Sequence, residues 1–188
     1  MLEKSKYGFT IIEIMVVIAI IGILLTFLAP NVTKLVLPRR ERELFISKLN
    51  ALTRFAWQHA LIERKAHKIS VDFTKKVMWI EMATGVIKKD QPETVRLKGA
   101  YTPTALSIPK NIDIKGFIIE GFDEKSRYGG GRGTEESWFY IMPDGLTQAV
   151  TINFIDTKDR NPAGKPRQFG LVLNPFTAYF NAYDSFQK

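Results

Sequence analysis

The sequence predicts an α+β fold: one long N-terminal helix, membrane-spanning in its first half and amphipathic in its second, packed on an antiparallel β-sheet domain. Three observations predict it. Residues 9–29, FTIIEIMVVIAIIGILLTFLA, form an almost uncharged apolar run. Phe45, Leu49, Leu52, Ala56 and Ala60 then recur at helical spacing. From Ile69 onward the period changes to two, with turn residues between short alternating stretches.

The apolar run holds 21 residues, with Glu13 as its one charge and Thr10 and Thr26 as its other polar side chains. At about 1.5 Å rise per residue, a helix of this length spans roughly 30 Å, the thickness of a bilayer's hydrocarbon core. In lipid the backbone must satisfy its own hydrogen bonds, so a single span is helical. A buried core helix would need enough protein to wrap every face. The chain after Pro30 is too short to do this and bury its own core as well. Upstream lies the polar segment MLEKSKYG, and LAPNV is only a weak secretory cleavage site. A carboxylate within hydrocarbon costs about 2.5–3.5 kcal/mol, so Glu13 needs a partner. If the chain is cut between Gly8 and Phe9, the new α-amine is a cation four residues from Glu13. Glu13 then neutralises the amine of a neighbouring copy or the positive end of its own helix. Equally, it is an acid at headgroup depth that favours the helix dipole.

Residues 31–68 continue the helix as an amphipathic segment, with Pro30 and Pro38 each favouring a kink or a restart. On such a helix His59 and His67 would sit about 12 Å apart along the axis, too far to share a metal ion. Ile69, Val71 and Phe73 turn at Thr74-Lys75-Lys76 into Val77–Met82, a first hairpin. Residues 83–110 read as connecting structure with a short strand near Thr94–Leu97. Ile112, Ile114 and Phe117–Ile119 mark further strands. Residues 121–137 read as a glycine-rich loop without the Gly-Lys-Ser/Thr ending of a phosphate loop. Trp138–Met142, the turn Pro143-Asp144-Gly145 and Ala149–Ile155 read as a second hairpin. Residues 156–168 read as a polar loop, and Phe169–Leu173 and Ala178–Tyr183 as a closing strand pair.

The formal charge is +8 and cysteine is absent. Thiol catalysis, thiolate zinc sites and disulfides are therefore excluded. No nucleophile–base pair, metal-ligand cluster, calcium loop or cofactor loop is evident, so the sequence predicts no enzyme, no metal, no cofactor and no small-molecule substrate. Arg127, Arg132, Lys158, Arg160, Lys165 and Arg167 are candidate polyanion contacts, and DNA is the polyanion they would take. Asp123, Glu124, Glu135, Glu136, Asp156 and Asp159 dilute their field. Lys34, Arg39, Arg40 and Arg42 outnumber Lys4 and Lys6, so a plain positive-inside count puts the C-terminal domain in the cytoplasm.

Lysines followed by G–FTIIE and an apolar run closing at Pro30 resemble the N-terminal signal of type IV pilins and type II secretion pseudopilins. The resemblance implies a leader at 1–8, a transmembrane assembly helix at 9–30, an amphipathic continuation at 31–68 and a periplasmic β-rich domain at 69–188. It makes Gly8 the residue before the prepilin peptidase cut, Phe9 the N-methylated new terminus and Glu13 its assembly partner. Pro30 matches the family's helix-kink proline. It places the chain as a single-pass inner-membrane protein with its C-terminal domain in the periplasm, opposite to the positive-inside count, and it rests on more features than that count. The order of strands and Pro143-Asp144-Gly145 is similar to H-type minor pseudopilins and FimT-like minor pilins. The long 121–137 loop and the aromatic end FTAYFNAYDSF depart from them. The implied function is a minor subunit of a pseudopilus that drives type II secretion, with other pilins and the peptidase as partners. The alternative is a FimT-like pilin in pilus assembly or DNA uptake.

Overall fold

A computed structural model describes residues 11–88, 91–97, 104–127, 136–161 and 163–188, with the side chains of 27–39, 88, 91 and 127 left out. Two compact units divide at Arg39/Arg40. In the first, α1 (Ile11–Glu63) begins, and every described side chain from Ile11 to Thr26 is exposed. The helix there is apolar on all faces, and its Thr26 hydroxyl donates to the Ile23 carbonyl at 2.6 Å, within the helix. Among the described residues no helix is long and apolar enough to cross a membrane. The described side chains end at Thr26, before Phe27, Leu28 and Ala29, and begin after Phe9 and Thr10. Pro30 and Pro38 both fall inside α1, which continues as helix through them.

In the second unit the expected helical stripe is the centre of the core. Phe45, Leu49, Leu52, Ala56 and Ala60 are all buried, at 2, 0, 3, 0 and 0 % exposure. The helix ends five residues earlier than the sequence pattern predicts. Arg64 adopts a left-handed conformation, φ 52°, which terminates the helix as a C-cap residue does.

The β part is two five-stranded sheets rather than one. The first runs β3-β2-β1-β7, from β1 (His67–Asp72), β2 (Val77–Lys88), β3 (Gln91–Arg96) and β7 (Glu136–Ile141), with β4 (Ala105–Ser107) also on β2. The second runs β10-β9-β8-β5-β6, from β5 (Ile112–Ile119), β6 (Phe122–Asp123), β8 (Val150–Arg160), β9 (Pro166–Asn174) and β10 (Tyr179–Tyr183). The four-residue helix α2 (Glu124–Arg127) follows β6. All pairs within the sheets are antiparallel. The first and last hairpins match the sequence. In the first, Asp72 closes the turn, its Oδ1 accepting the backbone N–H groups of Lys75 (2.7 Å) and Thr74 (2.9 Å). The Lys75 amide is the main cause holding the Asp72 carboxyl below the usual range.

Three expectations are corrected. Trp138–Met142 and Ala149–Ile155 do not form a hairpin: β7 joins β1, while β8 crosses to the second sheet between β5 and β9. The turn itself is real, with Gly145 N–H donating to Met142 O at 3.0 Å and a single bridge between Ile141 and Thr147. Residues 83–110 are not mainly connection, because β2 extends to Lys88 and pairs with β3 and β4. Residues 156–168 are mostly strand: β8 runs to Arg160, β9 starts at Pro166, and only the tip turns.

The inner faces of both sheets share one core with α1. Phe45 of α1 meets Phe154 of β8 edge-on at 5.6 Å, and Phe139 of β7 meets Phe180 of β10 at 6.4 Å and Phe117 of β5 at 6.5 Å. Such aromatic pairs add to the area they bury. Polar clips lock the helix to the sheets. Asn50, 5 % exposed, donates from Nδ2 to the Phe180 carbonyl (3.2 Å), and its Oδ1 accepts the Phe180 N–H (2.6 Å). The amide thus stands in for a neighbouring strand on the β10 edge. Trp57 Nε1 donates to Gly145 O at 2.7 Å, seating the Pro143-Asp144-Gly145 turn on the helix. Gly145 has φ +85°, and a Cβ there would lie 3.0 Å from Leu61 and 3.2 Å from Trp57, so the seat requires glycine.

The other end of the second sheet is closed differently. β5 pairs with β6 only at Ile118 and Ile119. Ahead of that, Lys76 Nζ donates to the carbonyls of Lys110 (3.0 Å) and Ile112 (3.1 Å), and Lys125 Nζ donates to that of Ile114. Ammonium groups occupy the edge that another strand would pair with.

The Asn50 clip yields a direct test. Asn50→Ala leaves a buried N–H and C=O unpaired and should lower the unfolding free energy by about 2–4 kcal/mol. Ser47→Ala on the exposed face should change it by less than about 0.5 kcal/mol. Denaturant titration of the full chain in detergent measures both.

Candidate functional site

At the N-terminus the expected site residues are Gly8, Phe9 and Glu13. Gly8 and Phe9 lie outside the described residues. Glu13 stands exposed in the first turn of α1. Around it the helix offers Ile11, Ile12, Ile14 and Met15 at 50–81 % exposure. A surface so apolar, with one acid at the positive end of the helix, is suited to lipid or to other apolar helices and not to water.

Of the six basic residues, Lys158, Arg160, Lys165 and Arg167 lie on the β8–β9 hairpin. Arg132 lies outside the described residues, and Arg127 ends α2 with its side chain left out. Arg160 Nη1 donates to Gly164 O at 2.7 Å, within its own turn. Lys165 is exposed at that turn, where its backbone N–H donates to Asn161 Oδ1 at 3.0 Å. Arg167 forms an ion pair through Nε with Asp159 Oδ2 at 2.8 Å and a looser one with Asp184 at 3.7 Å. Lys158 lies 3.4 Å from Glu41.

A bulge in β8 sets this arrangement. Between Asp156 and Arg160 the register with β9 shifts. Asp156 is fully buried, and its Oδ1 accepts Asn111 Nδ2 (2.9 Å) and the backbone N–H groups of Lys158 (3.0 Å) and Asp159 (3.2 Å). This loop inside the strand re-aims the next side chains, as bulges do. Asp159 receives Arg167 and also Arg42 of α1, whose Nη1 donates at 2.9 Å while its guanidinium lies over the Phe169 ring at 5.6 Å. The Arg42 and Asp159 side chains are 11 and 15 % exposed, so this pairing ties α1 to the β8–β9 hairpin far more firmly than a surface pair would. Neither Arg42 nor Asp159 stood out in the sequence as a pair, because 117 residues separate them.

The histidines are also placed otherwise than expected. His67 is not on the helix but in β1, fully buried, with ring centroids 6.3 Å from His59. His67 Nδ1 lies 3.0 Å from Lys65 O, which fixes Nδ1–H as the donor, and His59 Nδ1 lies 3.0 Å from Glu63. Among the described residues no three of His, Cys, Asp and Glu cluster as metal ligands would.

The family model of the prokaryotic N-terminal methylation motif matches residues 4–29. The structure of the minor pseudopilin EpsH from the type 2 secretion system of Vibrio cholerae has a similar fold. Its TM-score is 0.52 at 9 % identity, over 79 % of this chain and 99 % of that one. The fold is pseudopilin-like. Residues 4–29 match the methylation motif, and the α+β fold is similar to that of a minor pseudopilin. A crystal structure of the same V. cholerae protein aligns with TM-score 0.46 and 10 % identity, over 77 % of this chain and 93 % of that one. No curated protein sequence matches the chain.

One titration follows from the buried His67. Burial pushes His67 below its ordinary value of 6.5, against the pull of the Lys65 carbonyl and Glu63 and with the push of His59 and Lys65. A lowered folded-state value means the stabilising contribution is complete above about 6.5 and is lost as pH falls through the folded value. Stability measured by denaturant should therefore decline on acidification below about pH 6.5, and His67→Gln should flatten that part of the curve.

Proposed function

We propose that this protein is a minor pseudopilin: a single-pass inner-membrane subunit, with its C-terminal domain in the periplasm, that is drawn into a short filament serving type II secretion. The observation that carries this reading is that one helix bears both chemistries. Its start holds the methylation motif and is apolar on every face, and its later turns form the stripe around which the β domain closes. A chain built so has a membrane-compatible assembly handle fused to a folded interaction domain.

In this reading prepilin peptidase cuts between Gly8 and Phe9 and methylates the new amine. The Phe9 amine is a cation at the head of an apolar helix, and Glu13 supplies the carboxylate that a neighbouring subunit's amine needs when both enter an apolar bundle. Pro30 and Pro38 each lack a backbone donor and allow the helix to bend between membrane and domain. The domain acts as an interaction body and not as an enzyme. Against the DNA-capture reading, Arg160 and Arg167 among the described residues are engaged within the chain.

The test is the intact mass and N-terminal sequence of the chain co-expressed with a prepilin peptidase. The expected product starts at methylated Phe9, and Gly8→Ala should stay uncut. A chain retaining Met1, or cut after Ala29, overturns the reading. Glu13→Gln should be processed normally yet fail to enter filaments, which fractionation of sheared surface and membrane material detects.

A further inference from the structure

One groove of the domain has a chemistry that the N-terminal motif leaves unused. It lies between α1 and the β4–β5 connection and encloses about 410 Å³, enough for one or two side chains of a partner. Its floor is apolar, formed by Leu44, Leu106 and Pro109, and Leu44 is 50 % exposed although it neighbours the buried Phe45. Its rim carries three lysines, Lys48, Lys110 and Lys158, and one acid, Glu41.

Three features set this rim apart from ordinary solvated lysines. Lys48 and Lys110 have no carboxylate partner among the described residues. Lys158 pairs only with Glu41, at 3.4 Å with side chains 57 and 45 % exposed, an interaction weak enough to exchange. The backbone beneath is fixed, because the Asp156 carboxylate holds both Asn111, which lines the groove, and the Lys158 N–H. A rigid base, an exposed apolar floor and three ammonium groups around it form a docking surface complementary to carboxylates.

We propose that this groove docks an acidic segment of a neighbouring filament subunit, with carboxylates on the lysine rim and one apolar side chain on the Leu44–Pro109 floor. This rests on the subunit reading above and names the contact its domain would make. The concave apolar floor favours a peptide over a nucleic acid, whose phosphates need a broad basic face. Arg160 and Arg167, which would widen such a face, are held within the chain.

Two experiments on the full-length chain test it. In detergent micelles, the probes are a short peptide with leucine flanked by glutamates, its glutamine counterpart and a short DNA duplex. The glutamate peptide should bind saturably and more weakly as salt rises, and Lys48→Glu/Lys110→Glu should weaken it at least about tenfold. Leu44→Ser should also weaken it, and both variants should keep the wild-type unfolding midpoint. No saturable binding, binding indifferent to the lysine variants, or tighter binding of the duplex overturns the proposal. In cells, a photo-cross-linking residue at Leu44 should join an acidic segment of a co-assembled subunit; a cross-link to lipid or nucleic acid alone counts against it. N-terminal mass separates the two readings. A processed, assembled chain with an idle groove removes only the groove, and an unprocessed chain removes the subunit reading.

Discussion

The domain depends on the burial of one helical stripe. Phe45, Leu49, Leu52, Ala56 and Ala60 meet the inner faces of two sheets at once. Burying side chains of this size contributes roughly 1.5–3 kcal/mol for each large one, so the stripe outweighs any single polar contact in the domain. The alanines matter as much as the large residues, since they let strands come close to the helix axis. Polar clips then decide the register. Asn50, Trp57 and Arg42 each reach a different strand or turn, on β10, before β8 and within β8. Apolar burial brings the layers together, and these three contacts allow only one arrangement of them.

The exposed ends of the sheets show a second constraint. A sheet edge left uncovered offers unpaired backbone groups to any other strand. On β10 a helix amide takes the place of a strand; on β5 two lysines do. The C-terminal tail is secured by the same device. Asn153 Nδ2 donates to Gln187 O at 2.8 Å, and the Gln187 N–H donates to Asn153 Oδ1 at 2.9 Å, laying the tail over β9. A Cβ on Gly170 would come within 2.8 Å of Ser185 O, so the tail lies closer than any other residue there would allow.

Much of this was legible in the sequence where the signal is local. The helical stripe, the Thr74–Lys76 turn and the closing strand pair follow from periodicity and turn chemistry alone. What was not legible is decided by distant partners. The Pro143-Asp144-Gly145 turn announces a reversal, but whether β8 pairs with β7 or crosses to another sheet depends on Gly145 meeting Trp57 and Phe154 meeting Phe45 on the helix. Residues 156–160 look like a loop because their side chains are polar. They are strand because β8 outruns the core, with a buried aspartate holding a bulge. His67 was misplaced because no glycine or proline marks the helix end; Arg64 does that work with a left-handed backbone. At the candidate site, the N-terminal motif is readable at once as contiguous chemistry. The lysine groove assembles residues 48, 110 and 158, and only the folded chain brings these together.

The Asn50–Phe180 clip also orders events in time. Its partners are 130 residues apart, so the helix that organises the core leaves the ribosome long before the strand it clips. Closure of contacts so remote in the chain is slow and entropically demanding. Until β10 is synthesised, the apolar stripe has no complete cover and the early helix waits beside unpaired strands, a state prone to sticking. The order of synthesis therefore leaves the helical stripe waiting for β10, and the domain completes itself only once that strand has been delivered.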